Sequence, residues 1–184
     1  MTQKTESILN VLKKEGAQNK NLNMIFGIIA SISFILMFIP SLIVFVVIPW
    51  MISIVVLIVR GLYALDRKNC LKKSLKTMET TGSIKYADEI LNKQYKTTKK
   101  ECLSNHIYYV PGTFIMAYED MLDIRKINSE YYFVTLDGKQ HRVNGVKIEK
   151  DTINYILNSH NITSGAPYKS YKEKIDNFKK GIKQ

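Results

Sequence analysis

The stretch that decides the fold runs from residue 21 to residue 59 and reads NLNMIFGIIASISFILMFIPSLIVFVVIPWMISIVVLIV. It lies between Lys20 and Arg60 and contains no charged residue in 39 positions. As one straight helix, residues 22–59 would span about 57 Å, whereas the hydrocarbon core of a bilayer is about 30 Å thick. A break at Pro40-Ser41 divides the stretch into two segments of about 26 Å each. The sequence therefore predicts a transmembrane hairpin of two helices, with Pro49 inside the second helix.

Positive charge flanks this stretch on both sides. Of the net charge of +11, residues 1–20 carry +2, Arg60 carries +1 and residues 61–184 carry +8. Because Lys and Arg next to a span favour the cytoplasmic side, a two-span hairpin in the cell membrane places both termini and the main domain in the cytoplasm. A re-entrant hairpin that does not fully cross stays open as an alternative, since residues 39–42 at the tip carry no charge.

The hairpin divides the chain of 184 residues into four regions. Residues 1–21 form a basic N-terminal segment, and residues 22–60 form the hairpin. Residues 61–82 form a basic juxtamembrane helix that continues the second span. Residues 83–184 then leave room for one small domain.

The amino-acid composition changes between residues 99 and 146. Short runs of β-branched and aromatic residues predict antiparallel strands at 107–110, 113–118, 121–127, 131–136 and 140–146. Pro111-Gly112 and Asp137-Gly138 mark turns, the second being typical of a type I′ hairpin with two positive φ angles. Helices are predicted at 84–95, at 149–159 with Asp151 as the cap, and after Pro167. The predicted fold class is an α+β membrane protein.

A small antiparallel sheet followed by a capping helix, behind a membrane hairpin, resembles the pleckstrin-homology-like domains of small, uncharacterised bacterial membrane proteins. The resemblance covers residues 84–182. Its carriers are IKYADEIL at 84–91, YYVPGTFI at 108–115, AYEDML at 117–122, LDGK at 136–139 and NITSG at 161–165. It implies a binding or scaffolding module rather than an enzyme.

Basic residues concentrate on the juxtamembrane helix, where residues 66–100 carry a net charge of +6. A polybasic segment beside a span attracts anionic lipid by about 1 kcal/mol per basic residue. A solvated helix face without lipid contact is the alternative. The candidate anionic-lipid contacts are Arg67, Lys68, Lys72, Lys73 and Lys76.

A pocket for one phosphorylated head group would need clustered basic residues on the sheet. The only candidates there are Arg125, Lys126 and Arg142, and residues 101–163 carry a net charge of −2. Nucleic-acid binding is disfavoured for the same reason, because the aromatic-rich region lacks positive charge. The predicted partner is therefore the lipid bilayer itself, without selection among head groups.

The C-terminal helix carries an apolar stripe at helical spacing among lysines. Such a stripe must be buried, either on this chain's own domain or against a protein partner or the membrane surface. The candidate partner-binding residues are Tyr168, Tyr171, Ile175, Phe178 and Ile182. The sequence does not indicate an oligomeric state.

Residues with catalytic or metal-binding potential are scattered along the chain. Cys70 and Cys102 form no CxxC pair, and no phosphate loop or nucleophile motif is present in the sequence. A zinc site built from the three histidines would have to be assembled wholly by the fold. The acidic residues of the central region are expected to mark a turn rather than a cation site. We expect no metal and no cofactor. The residues in question are His106, His141, His160, Glu119, Asp120 and Asp123.

Together these features predict a membrane-anchored, cytoplasm-facing binding or scaffolding protein and not an enzyme. Two alternatives belong to other functional classes. One is a membrane-bound immunity or defence protein that neutralises a toxin. The other is an enzyme whose active site is assembled only in the folded chain. A pocket with converging polar groups would support this alternative.

Overall fold

The computed structural model of the chain describes residues 2–15, 20–39, 43–98, 101–143 and 148–182. It has a mixed α+β architecture with two small, mainly antiparallel sheets and one long apolar helix. The helices are α1 (Gln3–Glu15), α2 (Lys20–Leu36), α3 (Ile43–Thr81), α4 (Ala87–Leu91), α5 (Lys150–His160) and α6 (Lys169–Ile182). The strands are β1 (Lys96–Thr97), β2 (Cys102–Leu103), β3 (Ile107–Val110), β4 (Phe114–Ala117), β5 (Met121–Ile127), β6 (Glu130–Thr135), β7 (Gln140–Arg142) and β8 (Thr163–Ser164).

The chain forms two compact units. Unit 1 comprises Met1–Gly16 and Arg67–Gln184, and unit 2 comprises Ala17–Asp66. The N-terminal segment therefore belongs to the same unit as the sheets, although the whole apolar stretch separates them in sequence.

Unit 2 contains α2 and the first part of α3, and its large apolar side chains are mostly exposed. Phe45, for example, keeps 77% of its surface exposed. Among the described residues, Phe45–Thr81 is the one helix long and apolar enough to cross a membrane, and Leu22–Leu36 is a shorter apolar helix. Pro49 lies inside α3, as the sequence predicts. The predicted break at Pro40-Ser41 falls outside the described residues.

One polar contact joins the two helices of unit 2. The Nε atom of Arg60 on α3 donates to the Oδ1 atom of Asn23 on α2, at 2.6 Å. Asn23 lies near the beginning of α2, and Arg60 lies after the apolar part of α3. This end of α2 is therefore beside the end of the apolar part of α3.

The second part of α3 forms the centre of unit 1. Leu71, Leu75 and Met78 repeat at helical spacing and are fully buried against the sheets. α1 contributes to the same core, because its apolar residues Ile8 and Leu12 are also buried in it. The packing of α1 was not predicted, although its apolar residues have helical spacing.

The two sheets have simple topologies. β1, β2, β3 and β4 follow one another as an antiparallel meander, and β5, β6 and β7 form a second one. β8 adds to the free edge of β5 in parallel. The rings of Tyr108, Phe114 and Phe133 pack between the sheets, with the Phe114 and Phe133 centroids 4.9 Å apart.

The second sheet is covered on both faces. Phe133 of β6 points into the main core, whereas its neighbour Val134 packs with Leu122 against α6. This alternation follows from the period of two along a strand. The C-terminal helix therefore docks on the outer face of this chain's own sheet.

One predicted turn is wrong in type. Asp137 does not have a positive φ, and only Gly138 does, at 80°. The Asp137 side chain instead closes the loop, because its Oδ1 atom accepts hydrogen bonds from Thr135 Oγ1 at 2.7 Å and from the Lys139 amide at 3.2 Å. The turn with two positive φ angles lies at Asn128 (48°) and Ser129 (67°), between β5 and β6.

Two helix predictions also need correction. Residues 84–95 do not form one helix: a 3-10 helix at Ser83–Tyr86 leads into the short α4, and Lys93 follows with a φ of 55°. Asp151 does not cap α5, because the N-cap is Glu149 and makes no side-chain capping bond. Strand β7 is described only as Gln140–Arg142, and residues 144–147 of its predicted range lie outside the described residues.

Candidate functional site

Polar side chains fasten the second part of α3 to the sheets. Ser74 Oγ accepts a hydrogen bond from the Ile115 amide at 3.2 Å. Thr77 Oγ1 donates to Asp137 Oδ2 at 2.9 Å and lies 2.9 Å from His141 Nε2. Because the Thr77 hydroxyl has one proton, His141 must donate from Nε2 in this arrangement. α3 is therefore held by both apolar packing and buried hydrogen bonds.

The predicted lipid contacts do not all occupy the same environment. Lys68, Lys72, Lys73 and Lys76 are exposed on the face of α3 that points away from the core. Arg67 is half-buried, and it donates to Thr113 Oγ1 at 2.7 Å and to the Pro111 carbonyl at 3.0 Å. Arg67 therefore fixes the β3–β4 turn, whereas the four lysines face solvent.

α1 adds a fifth lysine to this surface. Burial lowers the pKa of Lys13, and the charges of Lys68 and Lys72 lower it further. The three ammonium groups are thus close enough to repel one another. We call Lys13, Lys68, Lys72, Lys73 and Lys76 the basic face.

The basic residues of the second sheet are held in contacts with neighbouring residues. Arg125 pairs with Asp123 at 2.8 Å and donates to the Ala166 carbonyl at 2.7 Å. Arg142 pairs with Glu130, and the Lys126 ammonium lies 5.8 Å from the centroid of the Tyr131 ring. The predicted alternative of a head-group pocket would therefore have to break existing contacts.

The apolar stripe of α6 is divided between buried and exposed positions. Tyr171 and Ile175 are buried against the second sheet, and Tyr171 also bonds to Arg125 through its hydroxyl. Phe178 is half-buried, and Tyr168 is 51% exposed. The side chain of Ile182 lies outside the described residues. Tyr171 and Ile175 are thus occupied within the chain.

The three acidic residues of the central region do not converge. Asp123 is in the ion pair with Arg125, and Glu119 is exposed. Asp120 is buried and accepts a hydrogen bond from Ser83, just past the end of α3. Burial raises the pKa of Asp120 to about 6. The expected turn is present as a 3-10 helix at Tyr118–Asp120.

Two histidines that are distant in sequence line one cavity of unit 1. The cavity has a volume of about 220 Å³. The ring of His106 stacks on Tyr86 with centroids 4.6 Å apart, and the ring of His160 stacks on Tyr118 at 3.7 Å. The lining residues are Tyr86, Asn105, His106, Tyr118, Glu119 and His160.

Carboxylates and buried polar atoms surround this cavity. His106 Nδ1 bonds to Glu89, and the Tyr86 hydroxyl donates to Glu119 Oε2 at 3.2 Å. The Tyr118 hydroxyl and the His160 Nε2 atom are buried and have no hydrogen-bond partner among the described residues. The sequence does not predict this site, because nothing in the spacing of its residues indicates that the two histidines meet.

The protonation states in the cavity follow from burial and neighbouring charges. Burial lowers the pKa of His160, and the charge of His106 lowers it further. Burial raises the pKa of the Tyr118 hydroxyl, and Tyr155 and Glu89 add to the shift. Burial would raise the pKa of Glu89, but hydrogen bonds from Ser104 and His106 outweigh it, so the pKa is lowered. At neutral pH, His160 and Tyr118 are therefore uncharged and Glu89 is ionised.

Within the described part of the chain, no group of three or more His, Cys, Asp and Glu residues is arranged to hold a metal ion. Comparisons with protein-family models, curated proteins and solved structures found no match to this chain. A function for this chain therefore has to be inferred from the geometry of the molecule alone.

Proposed function

We propose that the chain is a membrane-anchored, cytoplasm-facing binding or scaffolding protein with a two-span helical hairpin and a pleckstrin-homology-like domain. The observation that carries the proposal is the shared core of unit 1. Ile8 and Leu12 of α1 pack in the same cluster as Leu71 and Leu75 of α3. Two segments that share a core lie on one side of a bilayer, which supports a hairpin, because an apolar stretch between them that enters the bilayer has to come back to the side from which it entered.

Other observations support parts of this proposal. The bond between Arg60 and Asn23 fits an antiparallel pair of helices. The exposed apolar surfaces of α2 and α3 fit a hydrocarbon environment, in which they would be stable. Two antiparallel meanders followed by α5 agree with the order of elements on which the pleckstrin-homology-like resemblance rests.

Topology can be tested by labelling single cysteines in intact cells and in inside-out vesicles. In a chain with Cys70→Ser and Cys102→Ala, one cysteine replaces exposed Asn10 and, in a second chain, one replaces exposed Lys172. A membrane-impermeant maleimide should label both only in inside-out vesicles. Labelling of one position from each side would mean an odd number of crossings and would overturn the hairpin.

The same assay distinguishes a crossing hairpin from a re-entrant one. Ile39 is exposed near the end of α2. A cysteine at Ile39 should react with the impermeant reagent from outside intact cells if the hairpin crosses fully. Protection of this position from both sides would favour the re-entrant form.

We further propose that part of the basic face contacts anionic lipid. Lys68 is the lysine of the basic face nearest in sequence to the apolar stretch, eight residues after Arg60, whereas Lys76 comes sixteen residues after it. The screening length at physiological ionic strength is about 8 Å. Because the attraction of a basic residue to an anionic surface falls off within that length, Lys68 should contribute most and Lys76 least.

Matched single variants of the full chain in bilayers test this gradient. The preference of the protein for spin-labelled phosphatidylserine over phosphatidylcholine should fall about threefold or more with Lys68→Gln, because about 1 kcal/mol is lost per charge near the surface. Lys76→Gln removes the same charge and should change the preference little. Equal effects of both variants, or no preference in the unmodified chain, would leave the basic face as a solvated surface.

A further inference from the structure

α1 lies antiparallel to the second part of α3. Just before α1, the Thr2 amide donates to Glu79 near the end of α3. Near the other end of α1, Leu12 packs in the core cluster that α3 also enters. Thr2 and Lys13 are eleven residues apart, as are Glu79 and Lys68, so each pair spans about 16 Å of helix. Lys13 therefore lies at the level of Lys68.

Three lysines converge at this end of the helix pair. Lys68 and Lys72 are four residues apart, so they lie on one face of α3. Lys13 comes to the same place from α1, where its ammonium lies 3.5 Å from the Oδ1 atom of Asn10. Burial lowers the pKa of Lys13, and the charges of the two α3 lysines lower it further, which agrees with this position. We call Lys13, Lys68 and Lys72 the lysine cluster.

Neighbouring carboxylates do not neutralise the lysine cluster. The charge of Glu6, which is exposed on α1, raises the pKa of Lys13, but by less than either α3 lysine lowers it. Within the described part of the chain, Lys68 and Lys72 form no ion pair. Glu79 is occupied at the opposite end of the helix pair. The packing of α1 on α3 therefore holds three like charges together, and their repulsion is not balanced by carboxylates.

The number of charges and donors in the lysine cluster favours a terminal phosphate group. A phosphomonoester carries a charge of about −1.5 to −2 at neutral pH and has three terminal oxygens. Each of three ammonium groups can donate to one of these oxygens. Neighbouring positive charge also favours the fully ionised form of the phosphate. A carboxylate or a phosphodiester carries less negative charge and has fewer free oxygens, so it neutralises less of the cluster.

We propose that the lysine cluster binds a phosphomonoester group. The inference rests on the proposed lipid contact of the basic face, and it gives that contact a chemical class, whereas the sequence predicts no selection among head groups. The cluster lies on α1 and α3, outside the region that carries the pleckstrin-homology-like resemblance. The group belongs either to the head group of phosphatidic acid or to a soluble phosphate ester, and both present the same chemistry.

Trace acylation of lysines measures the occupancy of the cluster in the intact protein. The full chain in nanodiscs is treated briefly with acetic anhydride, and mass spectrometry gives the modified fraction of each lysine. A bound phosphate group protects the lysines that contact it. Lys73 is exposed on α3 about 140° around the helix from Lys68, so its protection reports diffuse attraction rather than binding at the cluster.

The lipid arm compares two head groups at matched charge. Phosphatidylcholine nanodiscs that contain about 10% phosphatidic acid carry about the same negative charge as those with about 20% phosphatidylserine. Phosphatidic acid should protect the lysine cluster at least about threefold more than phosphatidylserine does, and it should protect Lys73 to a smaller extent.

The soluble arm uses pure phosphatidylcholine nanodiscs with added methyl phosphate or dimethyl phosphate. Methyl phosphate should protect the lysine cluster in a saturable way and leave Lys73 unprotected. Dimethyl phosphate should bind at least about tenfold more weakly, because a hydrogen bond between charged groups is lost. Protection by phosphatidic acid alone would assign the group to a lipid, and protection by methyl phosphate would assign it to a soluble ester. Either result supports the proposed chemistry.

Variants locate the binding. Lys13→Gln should lower the affinity about tenfold, measured by the protection of Lys68 and Lys72, and Lys13→Arg should retain most of it. Lys68→Gln changes an exposed side chain, so it tests the cluster even if Lys13→Gln disturbs the packing of α1. Lys172→Gln removes the same charge from an exposed position of α6 and is the matched control, which should have no effect.

Two results would overturn the proposal. One is equal protection of Lys73 and the lysine cluster, or no protection of the cluster, with both phosphatidic acid and methyl phosphate. The other is unchanged affinity in both Lys13→Gln and Lys68→Gln. If the preference for phosphatidylserine over phosphatidylcholine persists in either case, the lipid contact of the basic face stands and only its chemical class is wrong.

Discussion

Along the single helix α3, the apolar side chains of residues 43–59 are mostly exposed, whereas those of residues 67–81 are mostly buried. In the first part, Phe45 and Ile48 are 77% and 62% exposed. In the second part, Leu71 and Leu75 are fully buried, and lysines occupy the exposed face. The two parts of one helix thus suit different environments. The first pattern is stable in hydrocarbon, and the second is stable in water beside a protein core.

The largest effect should come from removing a core side chain in the second part. Leu75→Ala should lower the free energy of unfolding of unit 1 by about 2–5 kcal/mol, because it leaves a cavity in the core. Leu65→Ala is the matched control, since Leu65 is on the same helix and 57% exposed. Chemical denaturation of the full chain in nanodiscs measures both. Similar effects of the two variants would remove the contrast between the parts of α3.

A charge placed in the first part tests the other half of the comparison. Ile52→Lys should impair membrane insertion, because a charged side chain at the centre of a span costs about 2.5–3.5 kcal/mol on insertion scales. Asn69→Lys introduces the same charge at an exposed position of the second part and should leave insertion unchanged. The fraction of protein that resists alkaline extraction from membranes is the measure. Full retention of Ile52→Lys would contradict a span at this position.

Titration sharpens the contrast, because residues 43–59 contain no ionisable side chain whereas buried acids and bases surround the second part of α3. Asp120 bonds to Ser83, just beyond Thr81. Its pKa rises from 3.8 to about 6 on folding, so its contribution to stability is complete below pH 4 and is lost as the pH rises through about 6. The free energy of unfolding of Asp120→Asn should therefore rise relative to that of the unmodified chain, by up to roughly 3 kcal/mol, as the pH rises over this window. A constant difference between the two chains from pH 4 to pH 7 would contradict the raised pKa.

His141, which bonds to Thr77 of α3, should have the opposite pH dependence. Burial lowers its pKa from 6.5 to about 4, so its contribution is present above pH 6.5 and is lost as the pH falls through about 4. His141→Gln is expected to be less stable at neutral pH, because its packing is disturbed, but to lose less stability on acidification. If the variant and the unmodified chain lose stability in parallel between pH 6.5 and pH 4, the neutral buried state of His141 is wrong.

Much of the fold could be predicted because local patterns are strong in this chain. The strand runs at 107–110 and 121–127 agree with β3 and β5, since β-branched and aromatic residues there are bounded by turn residues. The composition of Asp137-Gly138 predicts a type I′ turn. A hydrogen-bonding Asp137 side chain closes that loop by another route, and the two positive φ angles fall at Asn128 and Ser129 instead.

The parts that could not be predicted depend on contacts between distant segments. The charges of the N-terminal segment predict a basic flank, whereas its residues Ile8 and Leu12, at helical spacing, pack in the core. The cavity needs His106 and His160 side by side, and no local pattern encodes that encounter. Arg67 was grouped with the lysines by charge, whereas its position at the β3–β4 turn gives it a structural role.

The comparison between the two parts of α3 is tested most directly by spin-label accessibility in bilayers. Single nitroxides are placed at Ile52, Val55 and Ile58 and, on the same helix, at Asn69, Lys72 and Lys76, all of which are exposed. The first three labels should collide with oxygen and be shielded from a water-soluble nickel chelate, and the second three should show the reverse. Equal access of the nickel chelate to both sets would contradict the account, because residues 43–59 would then lie in water.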